Sequence, residues 1–130
     1  MSSSTSSVSE STALADQQNA ARVFEVAAEL FSVLSTPIRL QILGALCDGE
    51  LSVSQILERV ETTQPNLSQH LAILYRHGVI AKRKEGTQVI YAVQSEKAVA
   101  LCRSVVTQVA IELEDPAGVS ANERLLTRQF

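Results

Sequence analysis

The chain has 130 residues, 45% apolar and 19% charged, which suits one globular domain with a modest core rather than a disordered polymer. Its net charge of −3 is unevenly spread: residues 1–61 carry three basic and eight acidic side chains, residues 62–110 six and two, and residues 111–130 two and four. A basic middle in an acidic chain fits a local polyanion-binding surface, although chance clustering gives the same pattern.

No apolar run approaches the roughly 18–20 residues of a membrane span, so a membrane protein is excluded. No basic residue precedes Arg22, which argues against a secretory signal. Two cysteines, Cys47 and Cys102, are too few for a disulfide scaffold and fit a reducing cytoplasm.

Seven serines and two threonines fill the first twelve positions, a composition read as a disordered arm over residues 1–18. A folded domain is expected over 19–114 and a polar C-terminal tail over 115–130. From Asn19, Val23, Phe24, Ala27, Ala28, Phe31 and Leu34 recur at helical spacing, predicting a first helix to about Leu34. Ser35-Thr36-Pro37 restarts the chain with a hydroxyl cap and a proline in the first turn of a second helix, 37–48, apolar on most sides.

Ser52-Val-Ser-Gln55 is a capping box that opens a short third helix, to about Val60. Thr63 caps a fourth, from Gln64 to about His77, closed by Gly78. Two helices joined by so short a turn form a helix-turn-helix. Val79–Val93 reads as two strands about a Glu85-Gly86 tip, and Ser95 caps a last helix to about Glu114. The fold class is therefore mainly α with a small β-hairpin wing: a dimeric winged helix-turn-helix in the order α-α-α-α-β-β-α.

In the fourth helix Leu67, Leu71 and Leu74 fall on one side, while Pro65, Asn66, Ser68, Gln69, Ala72 and Arg76 fall on the other. Small and amide side chains can approach base edges, and an arginine can reach a phosphate. The competing reading is an ordinary solvated face, against which stands the lack of any acid in residues 62–75. His70, between the two faces, is read either as a packed imidazole with a satisfied partner or as a DNA contact. His77 is expected to cap the helix end. Lys82, Arg83 and Lys84, followed by Thr87, would place cations on the projecting hairpin, where they clamp phosphates or simply guard an edge.

Leu34-Ser-Thr-Pro-Ile-Arg-Leu-Gln-Ile-Leu43, Gly49-Glu-Leu-Ser-Val-Ser-Gln-Ile56, Gln64-Pro-Asn-Leu-Ser-Gln-His-Leu71 and Lys84-Glu-Gly-Thr-Gln-Val-Ile-Tyr91 resemble the ArsR/SmtB family of repressors over roughly residues 21–110. The resemblance implies a cytoplasmic homodimer that sits on double-stranded operator DNA and leaves it when an inducer or oxidant binds. By position, Gln64, Asn66, Ser68, Gln69 and His70 match the family's recognition surface, and Arg83, Lys84 and Thr87 its wing. The family's metal sites do not carry over: the third helix has Ser52 and Ser54 where thiolates would stand, and residues 95–114 contain no histidine. No metal and no cofactor are expected.

The chain also resembles the family's persulfide- and redox-sensing branch, which uses one cysteine in the second helix and one in the last. The branch's pair falls nearer Gly44 and Ala110, so Cys47 stands about one turn late and Cys102 about two turns early. Both are redox-sensing candidates; the alternative is two buried cysteines acting as small hydrophobes. A direct disulfide needs Cα atoms about 4.4–6.8 Å apart, and a polysulfide could bridge a wider gap. Arg103 beside Cys102 makes that thiol the better candidate for a lowered pKa.

Apolar residues on more than one face of the first helix, and the Cys102, Val105, Val106, Val109, Leu113 stripe of the last, predict a two-fold dimer reading an inverted repeat. No phosphate loop or nucleophile–base pairing suggests an enzyme. The rivals to a DNA-binding regulator with a chemical signal are a winged-helix protein-interaction module and a regulator with no thiol or metal sensing.

Overall fold

The computed structural model describes residues 2–114, with side chains from residue 9; the expected tail over 115–130 lies outside the described residues. The chain divides into two compact units at the Ser35–Thr36 boundary. The first is one long helix, α1 (Ser2–Val33). Its start corrects the expected arm: the serine-rich segment is helical from Ser2 rather than from Asn19. Serine sits only about 0.5 kcal/mol below alanine as a helix former. No Gly or Pro interrupts residues 2–33, so a helix nucleated in the Ala-rich stretch extends backwards one bond at a time.

The second unit follows the sequence signals closely. Helix α2 (Pro37–Cys47) starts where the Arg39 amide donates to Thr36 Oγ1 at 3.1 Å, with Pro37 in the first turn, and it buries Ile42, Leu43, Ala45 and Leu46. Strand β1 (Leu51–Ser52) leads into α3 (Val53–Arg59). There the capping box closes both ways: the Ser52 amide donates to Gln55 Oε1 at 2.8 Å, and the Gln55 amide to Ser52 Oγ at 3.3 Å. Helix α4 (Gln64–Arg76), capped by Thr63, buries Leu67, Leu71 and Leu74. It ends in a Schellman motif: the Val79 amide donates to the Leu74 carbonyl and the Gly78 amide to that of Tyr75, both at 3.0 Å. Gly78 takes the left-handed φ of 72° that this stop requires.

Strands β2 (Ile80–Glu85) and β3 (Gln88–Val93) form the wing, paired antiparallel from Ile80↔Val93 to Glu85↔Gln88. The turn is therefore Gly86-Thr87, one residue beyond the expected tip, because Gly86 (φ 63°) supplies the positive φ a two-residue hairpin needs. β1, too short to leave a pattern in the sequence, pairs with β3 (Leu51↔Tyr91, Ser52↔Ile90), so β3 is central and the wing is bonded to the start of α3. Helix α5 (Glu96–Glu114) opens where the Ala98 amide donates to Ser95 Oγ at 3.3 Å. The core of this unit is Ile42, Leu43, Leu46, Ile56, Val60, Leu67, Leu71, Leu74, Val79, Ile80 and Ala98. This is the expected winged helix-turn-helix.

Candidate nucleic-acid interface

The three buried leucines hold one side of α4 against the core, and the helix turns Gln64, Pro65, Ser68, Gln69, Ala72 and Arg76 outward, all exposed. Asn66 is half-buried, and its amide nitrogen donates to Thr62 Oγ1 at 2.9 Å, which ties it to the preceding turn. His70 is half-buried too, and its Nδ1 accepts from Arg39 Nε of α2 at 3.2 Å. Burial, and then the Arg39 charge, lower the His70 pKa below its ordinary value. His77 Nδ1 lies 2.9 Å from the Ile73 carbonyl, the expected helix-end contact.

The wing's three consecutive cations separate by strand alternation. Lys82 and Lys84 share one face, and Lys82 Nζ sits 4.4 Å from the centroid of the Tyr75 ring of α4, a cation–π contact. Arg83 lies on the other face. It donates from Nη2 to Glu50 Oε2 and from Nη1 to Glu85 Oε2, both at 2.7 Å. These bonds, Glu50's first, raise the Arg83 pKa further. Lys84 has no such partner among the described residues. A groove of about 340 Å³ lies between the starts of α3 and α4 and the wing tip; Ser54, Gln64, Thr87 and Gln88 line it, so two of the expected contact residues meet there.

The two thiols open onto one cavity of about 210 Å³ between α2 and α5, lined also by Leu40, Leu43, Gly44, Arg103 and Val106. Cys47, at the end of α2, is exposed; Cys102 is buried. The reading of two buried thiols therefore fails for Cys47, which is exposed at the last position of α2 although Leu46 before it is buried. The expectation of a lowered Cys102 pKa is also corrected: burial, and then the Cys47 charge, raise it, while Arg103 is itself exposed to solvent. The end of α2 (Leu46, Cys47) shares a second cavity with the start of α5 (Glu96, Val99, Ala100), so the helices run antiparallel where they pack. A cysteine one turn late on α2 thus lines the same cavity as one that is early on α5. No three His, Cys, Asp or Glu side chains come together as a metal site among the described residues.

Residues 36–82 match the bacterial regulatory proteins of the arsR family. The transcriptional activator HlyU of Vibrio cholerae is 43% identical over 72 residues, 55% of this chain and 67% of that protein. An uncharacterised HTH-type transcriptional regulator of Methanocaldococcus jannaschii is 37% identical over 75 residues, 57% of this chain and 84% of its own length. This chain belongs to the arsR family. The structure of the arsR-family chain is also similar to that of the transcriptional repressor BigR from Xylella fastidiosa (TM-score 0.64, 30% identity, covering 70% of this chain and 93% of BigR).

Membership makes it a DNA-binding transcriptional regulator, with α3–α4 its helix-turn-helix and β2–β3 its wing. No single helix among the described residues is long and apolar enough to cross a membrane. Sequence reasoning missed Arg39, Glu50 and Tyr75, each of which contacts a residue of the candidate surface. Tyr75, one position off the leucine stripe, was open to discovery; Arg39 and Glu50 pair across 31 and 33 residues and leave no local pattern.

Proposed function

We propose that this regulator is a cytoplasmic homodimeric repressor that reads an inverted repeat and is released when a persulfide or another oxidant links Cys47 to Cys102. The observation that carries the signal is the single cavity shared by an exposed and a buried thiol on two different helices. The exposed apolar side chains of α1 (Val23, Phe24, Phe31) and α5 (Val105, Val106, Ile111) support a two-fold assembly. So does the similarity to the homodimeric winged helix-turn-helix domain Mb0332 of Mycobacterium bovis (TM-score 0.60, 30% identity). In such a dimer the recognition helices lie about 34 Å apart, in successive major grooves. Gln64, Pro65, Asn66, Ser68, Gln69 and His70 face the bases, and Arg76, Lys84 and Thr87 the phosphates.

The chemistry starts at the exposed thiol. Cys47 thiolate attacks the sulfane sulfur of a low-molecular-weight persulfide, forming a Cys47 persulfide and releasing the carrier thiol. Cys102 then gives up its proton and attacks the Cys47 sulfur, hydrosulfide leaves, and a disulfide remains. Two protein thiols are oxidised, and the sulfane sulfur is reduced to sulfide. The bond ties the end of α2 to α5, the helix proposed to set the spacing of the two recognition helices, which makes a two-state device.

The test is titration of the protein onto the DNA upstream of its own operon, with and without glutathione persulfide, alongside intact mass measurement. Loss of affinity together with the loss of two hydrogen atoms, both abolished in Cys102→Ser, is expected. An equal fall in affinity for the wild type and the Cys47→Ser/Cys102→Ser variant sinks the thiol mechanism. A purely monomeric mass at micromolar concentration sinks the dimer.

A further inference from the structure

Arg39 lies in the first turn of α2, outside every surface considered so far, yet its Nε reaches His70 Nδ1 in the middle of the recognition helix. A guanidinium has five N–H donors and no acceptor. A ring nitrogen 3.2 Å from it must therefore be the unprotonated one, which leaves the imidazole proton on Nε2. The contact fixes three properties together: the tautomer, the ring's orientation and its neutral charge, since an imidazolium would set an N–H against the arginine. The depressed His70 pKa, from burial and Arg39, agrees with this geometry.

We infer that Arg39 is a positioning residue for DNA recognition: it holds His70 as a neutral Nε2–H donor at the centre of the recognition helix. This rests on the proposed reading of α4 as the base-reading helix and deepens it. His70 is half-exposed and has no other partner among the described residues, so Nε2–H is the ring's remaining donor. It would serve an acceptor on a base edge, the O6 or N7 of a guanine. A neutral donor displaces no counterion, so its loss should weaken binding without changing the salt slope. Arg39 also joins the helix that carries Cys47 to the helix proposed to read DNA, eight residues or about 12 Å along α2 from Cys47.

The experiment has two arms, both on the full chain. Nitrogen-15 NMR of the His70 ring reads the tautomer in the wild type, in Arg39→Gln and in Arg39→Met, which has no donor. Fluorescence anisotropy compares the upstream operator duplex with a random duplex for the same proteins, for His70→Asn and for the double variant Arg39→Gln/His70→Asn. The expected result is an Nε2–H form in the wild type that becomes a tautomer mixture in both Arg39 variants. The operator-to-random affinity ratio should fall about three- to tenfold in each single variant, as for one lost hydrogen bond. The double variant should fall no further, because the two residues act as one unit.

If Arg39→Gln fails to fold, Arg39→Met and His70→Asn carry the same comparison. An unchanged tautomer in the Arg39 variants, an unchanged affinity ratio, or additive losses in the double variant each overturn the inference. Wild-type protein with no affinity for any duplex overturns the reading of α4 itself and this inference with it. Wild-type binding with an indifferent Arg39→Gln overturns this inference alone.

Discussion

Gly44→Ala isolates a single energetic contribution. Gly44 sits inside α2, its φ is not among the positive glycine values, and a Cβ built there meets nothing within 4 Å. The backbone therefore has no need of glycine, and the added methyl neither clashes nor gains packing. What remains is the entropy glycine loses on folding, so alanine should stabilise the protein by about 1 kcal/mol. For a unit of this size that is a rise of roughly 4–8 °C in Tm. Thermal unfolding under reducing conditions measures it, and urea titration should show a higher midpoint with an unchanged slope, as expected when only stability changes. Because residue 44 lines the thiol cavity, the same methyl should slow alkylation of Cys47 by a bulky maleimide more than by iodoacetamide. A Tm equal to or below the wild type's would refute the reasoning: it would mean that another surface fills the space at residue 44 in the folded protein.

Gln69→Ala should cost about 1–3 kcal/mol on the operator and much less on random DNA if its amide makes a paired base contact; equal losses on both duplexes would assign it to the phosphates. Lys84→Ala should flatten the logarithmic salt dependence of binding by about one, whereas Arg83→Ala should flatten it less, because Glu50 and Glu85 already hold that cation. Glu50→Gln with Glu85→Gln should release Arg83, strengthen binding to random duplexes and steepen the salt dependence; a random-DNA affinity no higher than the wild type's would show that Arg83 stays out of reach. The depressed His70 pKa means that, below its ordinary value of 6.5, the unfolded chain binds more protons than the folded one. Stability should therefore hold above that pH and fall as the pH drops towards the folded pKa. Denaturant midpoints at several pH values should show a smaller fall in His70→Asn, and parallel curves would argue against the link.

The elements read correctly from sequence are those with short-range causes. Thr36 with Pro37, the Ser52–Gln55 box, Thr63 and the Gly78 stop each act within a few residues of the bond they make. Leu67, Leu71 and Leu74 announce a buried face by spacing alone. The start of α1 was misread because composition outweighed the absence of any helix breaker, and β1 was missed because two residues have no period. At the site, the outward set on α4 was legible, but its supports were not. Arg39–His70 and Glu50–Arg83 depend on how α2 and β1 sit against α4 and the wing. The register of the thiols misled for a related reason: displacements along two antiparallel helices compensate one another, and a sequence offset alone does not show it.

The pairing of Arg83 with Glu50 and Glu85 bears on how such a protein searches. A regulator must find its site among about 10⁶–10⁹ competing positions, and its residence on each wrong one is set largely by sequence-blind attraction to phosphate. Three unpaired cations on one hairpin would lengthen every wrong stop. Here the middle cation is cancelled by two carboxylates of the same chain, and Lys82 is steadied on Tyr75 before any duplex arrives. In the proposed complex the wing would meet DNA already ordered, with one of its three cations held by the protein itself, so the time spent at a site would depend more on α4 than on the wing's charge.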